Sequence, residues 1–291
     1  GKLAVKLDAV PFNLDVTLCC GQVFRWNKEG DWWYGVAADR AFKIRQANAE
    51  LEFVYADEKF VAYYFGLEDD LQRISGKIGR DEHAKKALRE FWGLRIVRQD
   101  PWECLVSYIC ATFKSIAAIK QMLLKLSKKF GEQVALDGCD FYTFPAPEKL
   151  AKATVSSLAK CGLGYRAKYV LETSKRIYDG NFDLENLRKM SYTQAKETLL
   201  SFSGVGSKVA DCVLLFSLGK LEAFPVDVWV KRAVLNHYAD QFTKEFIQKM
   251  KENKSFSNAE YQRLNAFGRS YFGEYAGYAQ EYLYHYERMQ H

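Results

Sequence analysis

The spacing of apolar residues along the chain changes character near residue 58. Before it, apolar and polar positions alternate in short runs, the period-two pattern of strands with one buried face. Gln22-Val23-Phe24-Arg25-Trp26 alternates, and Asn27 to Asp31 supplies a turn. Trp32-Trp33-Tyr34-Gly35-Val36, Phe42-Lys43-Ile44-Arg45 and Leu51-Glu52-Phe53-Val54-Tyr55 follow, separated by short polar breaks. These four runs predict an antiparallel meander. From Glu58 onward the spacing is helical and predicts helices over 58–66, 83–92, 101–111, 115–130, 147–160, 166–179, 192–202, 208–218, 228–239 and 257–285. Two helix starts carry their own chemistry. Asp100-Pro101 places a capping carboxylate before a proline at the first helical position, and Ser257-Asn258-Ala259-Glu260 fits a capping box. The expected fold class is therefore α+β. A small antiparallel sheet domain with flanking helices occupies 1–95, and a large helical body occupies 96–291.

Composition narrows the function classes. The chain has 291 residues, 48% hydrophobic and 27% charged, an ordinary globular balance with enough length for a sizeable core. No apolar run is long enough for a spanning helix, so no membrane partner is expected. Seven cysteines form an odd set without a regular framework, which points to reduced thiols and an intracellular, cytoplasmic or nuclear setting. The four histidines, His83, His237, His285 and His291, share no ligand spacing with one another or with cysteine, so neither metal nor cofactor is expected. The net charge of +6 makes nucleic acid a reasonable partner without selecting it.

The chemistry concentrates in Leu199-Leu200-Ser201-Phe202-Ser203-Gly204-Val205-Gly206-Ser207-Lys208-Val209-Ala210-Asp211-Cys212-Val213-Leu214-Leu215-Phe216. One apolar helix ends at a Gly-Val-Gly hairpin and another begins at once. Gly204 and Gly206 allow a tight turn with positive φ, and the following helix N-terminus presents amides to a phosphate oxygen. Such a hairpin grips a nucleic-acid backbone without reading bases. Lys208 falls in the first turn of the second helix, where the helix dipole opposes a cation. That field, and burial, would favour the neutral amine that a nucleophile needs, although most lysines are merely solvated. Downstream, Phe224-Pro225-Val226-Asp227-Val228-Trp229-Val230 places Asp227 as the N-cap of the next helix. Its carboxylate could also return towards Lys208 and stabilise a developing sugar cation.

Gly204 to Cys212 followed by Pro225-Val226-Asp227-Val228 resembles the helix-hairpin-helix DNA glycosylases, and within them the 8-oxoguanine DNA glycosylase family. The resemblance extends to Gly21-Gln22-Val23-Phe24-Arg25-Trp26, Arg98-Gln99-Asp100-Pro101-Trp102-Glu103-Cys104, Gly162-Leu163-Gly164-Tyr165-Arg166-Ala167-Lys168-Tyr169 and Tyr275-Ala276-Gly277-Tyr278-Ala279-Gln280. The four-cysteine iron–sulfur loop of endonuclease III relatives has no counterpart, because no cysteine follows Cys212. The resemblance implies a bifunctional glycosylase and lyase that kinks double-stranded DNA, extrudes 8-oxoguanine and excises it. Lys208 would be the nucleophile at C1′, and Asp227 its electrostatic partner. The Gly21 carbonyl would accept from N7–H, a donor that guanine lacks. Gln280 would hold the Watson–Crick edge, with Cys212 and Tyr284 on the two faces of the base. By themselves Tyr284, its neighbours Tyr271, Tyr275, Tyr278 and Tyr282, and Cys212 all read as core. Tyr165 and Arg166 would wedge the duplex and read the opposite strand; their ordinary reading is a helix-start tyrosine and a solvated arginine.

Three positions depart from the family pattern. Phe113 stands where the family usually has an Asn that contacts the stranded cytosine, Ala118 where eukaryotic members have an Arg, and Trp229 where they commonly have a His. The changes point to a bacterial or archaeal member, acting as a monomer at the nucleoid, with weak opposite-base preference. Two rival readings remain. One is a non-catalytic helix-hairpin-helix binder, disfavoured by Lys208 with Asp227. The other is a monofunctional glycosylase for alkylated bases, which would need the Asp but not the Lys.

Overall fold

The computed structural model describes residues 1–37, 39–254 and 257–291. A five-stranded antiparallel sheet forms first, in the order β1-β5-β4-β3-β2, from β1 (Lys2–Lys6), β2 (Trp26–Glu29), β3 (Trp32–Ala37), β4 (Arg40–Ala47) and β5 (Glu50–Val54). β2 to β5 make the expected meander. β1 adds an edge strand that pattern reading missed, with Leu3 opposite Phe53 and Val5 opposite Leu51. Its side chains are mostly exposed, so ladder bonds rather than burial hold it. On the inner face Trp26, Trp33, Phe42, Ile44, Leu51 and Phe53 are buried with Phe65 and Val97.

Two expectations for this region need correction. α1 (Leu14–Cys19), capped by Asn13, interrupts what read as continuous extended structure. Gln22 to Arg25 is also not strand. Its alternation arises because the Gln22 side chain turns inward as a bracket, donating to the Thr17 and Arg95 carbonyls at 3.0 and 2.8 Å and accepting from the Val97 amide at 3.0 Å.

The helical part contains α2 (Glu58–Tyr64), α3 (Leu71–Ile78), α4 (Glu82–Glu90), α5 (Pro101–Ala111), α6 (Ile116–Phe130), α7 (Pro147–Ala151), α8 (Val155–Leu158), α9 (Arg166–Asp179), α10 (Tyr192–Leu200), α11 (Ser207–Phe216), α12 (Val228–His237), α13 (Lys244–Glu252), α14 (Asn258–Phe272) and α15 (Ala276–Met289). A small hairpin, β6 (Gln133–Leu136) with β7 (Cys139–Tyr142), follows α6. Asp100 caps α5 with Pro101 at its start, as expected. The helix expected over 147–160 is broken, because Thr154 and Ser157 cap each other reciprocally and start α8 afresh. The helix expected over 257–285 breaks at Gly273, whose φ of +75° ends α14. Ser257 accepts from the Glu260 amide, but the Glu260 carboxylate turns to Asn253, so only half the capping box forms. α3 and α13, missed in the sequence, are short and largely polar, with Asp70 and Thr243 as their caps.

Sheet and helices meet along residues 94–99. Arg95 is fully buried there, and its guanidinium donates to the carbonyls of Pro11, Gly66 and Asp69. Arg98 grips Asp69 with two bonds of 2.6 and 2.9 Å, and Tyr278 of α15 donates to the same carboxylate. α3 and α4 pack on α15 and not on the sheet.

Beneath the hairpin, α11 is held by a buried carboxylate. Asp211 accepts from Lys196 of α10 at 3.0 Å, from Tyr261 and Asn265 of α14 at 2.6 and 3.2 Å, and from Tyr192. Asn265 also donates to the Phe224 carbonyl at 3.0 Å, and the Tyr261 hydroxyl accepts from the Val226 amide at 3.4 Å. One charge therefore orients both α11 and the 224–227 segment. Asp211→Ala would strand Lys196 without its counter-charge. Chemical denaturation of this variant is expected to lose about 3–5 kcal/mol, with an unchanged m-value.

Candidate active site

The hairpin between α10 and α11 is shaped by packing as much as by its glycines. Gly204 has φ +81°, and a Cβ there would fall 2.6 Å from Cβ of Tyr169 on α9, so only glycine fits. Gly206 differs from expectation: its φ is −95°, and a Cβ would meet nothing within 4 Å. Its missing side chain leaves the approach to the α11 N-terminus open. Val205 is buried, and its amide donates to the Phe202 carbonyl, so it plugs the turn from beneath. α9 braces the hairpin further, with Thr173 donating to the Ser203 carbonyl and Arg176 to that of Ser201.

Lys208 projects from the first turn of α11. It is exposed, not enclosed as expected from sequence, and has no hydrogen-bond or ion-pair partner among the described residues. Asp227 caps α12, accepting from the Val230 amide at 2.8 Å. Burial pushes its carboxyl above the usual range, against the opposing pull of the Lys208 ammonium and the α12 amides. One turn along α11 from Lys208, Cys212 is buried; desolvation pushes its thiol well up and keeps it protonated. Lys208, Asp227 and Cys212 thus share one electrostatic neighbourhood.

The opposite wall combines the loop after α1 with α15. Gly21 has φ +84°, and a Cβ there would meet the Tyr284 hydroxyl at 3.1 Å and its ring at 3.3 Å. The Gln22 bracket fixes this loop, and Tyr108 of α5 donates to the Gln22 carbonyl at 3.0 Å beside the Gly21 carbonyl. Arg288 donates to the Cys19 carbonyl and lies over the Tyr284 ring. Tyr278 and Tyr282 are core, whereas Tyr271, Tyr275 and Tyr284 are only half-buried. Gln280 is buried, yet its Oε1 has no partner and stands as an open acceptor.

Similarity to known proteins identifies the family. Residues 4–105 match the 8-oxoguanine DNA glycosylase N-terminal domain, and residues 106–266 match the HhH-GPD superfamily of base excision DNA repair proteins. The probable N-glycosylase/DNA lyase of Methanothermobacter thermautotrophicus is 32% identical over 78% of this chain and 74% of its own. The N-glycosylase/DNA lyase of Saccharomyces cerevisiae is 30% identical over 98% and 85%. The 8-oxoguanine glycosylase/lyase of Clostridium acetobutylicum, solved with double-stranded DNA containing cytosine opposite 8-oxoG, superposes with a TM-score of 0.87. It is 31% identical and covers 99% of this chain and 98% of its own. The chain belongs to the 8-oxoguanine DNA glycosylase family.

In this glycosylase, two exposed aromatic side chains flank the loops near the hairpin. Phe113, between α5 and α6, is 88% exposed and has φ +59°, a conformation costly for a bulky residue. Tyr165 at the start of α9 is 59% exposed, with Arg166 stacked on its ring. Arg166 is buried, contrary to its ordinary reading as a solvated residue. Its guanidinium donates to the Thr112 carbonyl and so ties α9 to the Phe113 loop. All seven cysteines are free, and no helix among the described residues is long and apolar enough to cross a membrane.

Sequence reading missed Tyr108, Cys20 and above all Glu281, a buried acid beside Gln280 that bonds Cys20. The available clue was one carboxylate set between the buried Tyr278 and Tyr282. Burial pushes Glu281 up to about 8, against the lowering pull of Cys20 and Arg288, and its Oε1 lacks a partner. The folded state therefore retains a proton that the unfolded chain releases near pH 4.3, so this group's contribution to stability falls as pH rises from about 4.3 to about 8. Glu281→Gln removes that slope. Thermal melts should show the variant near wild type at pH 4.5 and more stable by about 5 °C at pH 8.5.

Proposed function

We propose that this enzyme extrudes 8-oxoguanine from duplex DNA, excises it through a Schiff base at Lys208 and then cleaves the strand by β-elimination. The observation that carries the reading is an unpartnered lysine at the head of α11, facing the capping Asp227 and adjoining a wall of Cys212, Tyr284 and an unsatisfied Gln280. The neutral Lys208 amine forms a bond to C1′ as the glycosidic bond breaks, and the base leaves with the electron pair and takes up a proton. The Asp227 carboxylate offsets positive charge on the sugar as the base departs, then takes a proton from the newly bonded Nζ and returns it to O4′ as the ring opens. The sugar ring opens to an iminium between Nζ and C1′. Loss of a C2′ proton then expels the 3′ phosphate.

Base choice rests on the opposite wall. The Gly21 carbonyl accepts from N7–H of 8-oxoguanine, whereas guanine would set a lone pair against it. The open Oε1 of Gln280 is available to the Watson–Crick edge, and Cys212 and Tyr284 sandwich the ring. The hairpin Gly204-Val205-Gly206 and the α11 amides hold a phosphate, and the enzyme acts as a monomer with no cofactor. Phe113 and Tyr165 fill the gap left in the duplex.

Borohydride trapping on a duplex with one 8-oxoguanine is expected to give a covalent adduct that vanishes in Lys208→Gln. DNA binding without adduct or base release would make the protein a binder, and base release without adduct a monofunctional glycosylase. Phe113 and Ala118 lack the hydrogen-bonding groups that would read a stranded cytosine. Excision rates opposite C, A, G and T should accordingly lie within about tenfold of one another, the worth of one net hydrogen bond. A large preference for cytosine would refute that assignment.

A further inference from the structure

Away from the base pocket, at the opposite end of α12, three of the four histidines meet a buried carboxylate. His83 comes from α4, His237 is the last residue of α12, and Glu287 lies on α15 two turns beyond Gln280. The donor atoms of these three residues all lie within 4.8 Å of one another. His291 adds a fourth donor, its Nε2 lying 3.6 Å from Glu287 Oε1. Glu287 and His291 are four residues apart, but nothing in sequence spacing links them to positions 83 and 237.

The local geometry leaves donors unspent. The His83 and His237 rings stack face to face at 3.5 Å, and His83 Nε2 is buried without a hydrogen-bond partner. Glu287 is buried, and its Oε1 accepts from the Asn236 amide at 3.2 Å. The nearby Asp81 is committed elsewhere. It caps α4 and accepts from Tyr238 and Tyr271, which holds His83 against the end of α12. Two imidazoles and one carboxylate are a donor set for a borderline ion such as Zn²⁺, with bonds of about 2.0–2.2 Å.

We infer that His83, His237 and Glu287 form a structural zinc site, completed by His291 or water, that clamps α4, α12 and α15 together. Tetrahedral donors at that bond length stand about 3.4 Å apart, so separations of up to 4.8 Å must close by as much as about 1.4 Å on binding. The exposed His237 ring, stacked on His83, is the donor with room to turn. The clamp joins the helix capped by Asp227 to the helix carrying Gln280 and Tyr284. It lies far from Lys208, since α12 itself spans about 15 Å. The ion takes no part in base excision.

The test uses the full untagged chain, stripped with a chelator and titrated with zinc chloride by calorimetry and thermal melting. One zinc per chain is expected, with a Tm rise of about 5 °C when zinc is in large excess over its Kd. His83→Ala and His237→Ala should each weaken binding at least about tenfold and abolish the Tm rise. Glu287→Gln, nearly isosteric, should do the same and guards against misfolding, provided its zinc-free melt and circular dichroism match wild type. Borohydride trapping at Lys208 should survive in the stripped protein. Absence of saturable binding, or binding unchanged in all three variants, would overturn the proposal.

Discussion

The buried carboxylate of Asp211 is the constraint on which the geometry of the candidate site depends. A charge in the interior is tolerated only when ion-paired and hydrogen-bonded, and Asp211 has Lys196, Tyr192, Tyr261 and Asn265 around it. Those partners lie on α10 and α14, so the demand for satisfaction fixes α11 against both. Through Tyr261 and Asn265 the same network holds the 224–226 backbone, which delivers Asp227 to the end of α12. Lys208 and Asp227, nineteen residues apart, are thereby positioned by a fully buried residue between them in sequence.

A second polar frame does the equivalent work for the opposite wall of the candidate site. Gln22, Arg95 and Gln99 knit the loop after α1 to the segment joining sheet and helices, and Gln99 donates to the Gln22 carbonyl at 2.8 Å. Gly21 is thus held at positive φ against Tyr284 without help from a regular element. The pocket wall consequently spans parts of the chain more than 260 residues apart in sequence, and its rigidity comes from side chains bonding backbone carbonyls across that gap. The face that bears Phe113 and Tyr165 is organised differently. Phe113 and Tyr165 are apolar and exposed, and Arg166 beneath them ties their two loops together.

Local sequence determined those features whose physics is local. Asp100-Pro101 capped its helix, the β2–β5 meander followed from alternation, and the Gly-Val-Gly turn lay between the two helices expected there. The residues that resembled a glycosylase were legible because each required a particular residue type at a particular position. Pattern failed where tertiary partners overrode it. Gln22 to Arg25 alternates for a bracket and not for a strand, Thr154 restarts a helix, and Gly273 breaks a long amphipathic run.

What only tertiary structure decided concerns charge and long-range approach. Composition cannot show that Arg166 is buried, that Lys208 stands exposed, or that Glu281 is enclosed and pushed up to about 8. Nor can it show that histidines at 83 and 237 stack beside Glu287. Sequence by itself determined the β2–β5 meander, most of the longer helices, the hairpin and the identity of the candidate nucleophile, because periodicity, caps and turn chemistry act over a few residues. Solvation and proximity depend on which distant segments exclude water from one another, and that is settled only when the helices pack.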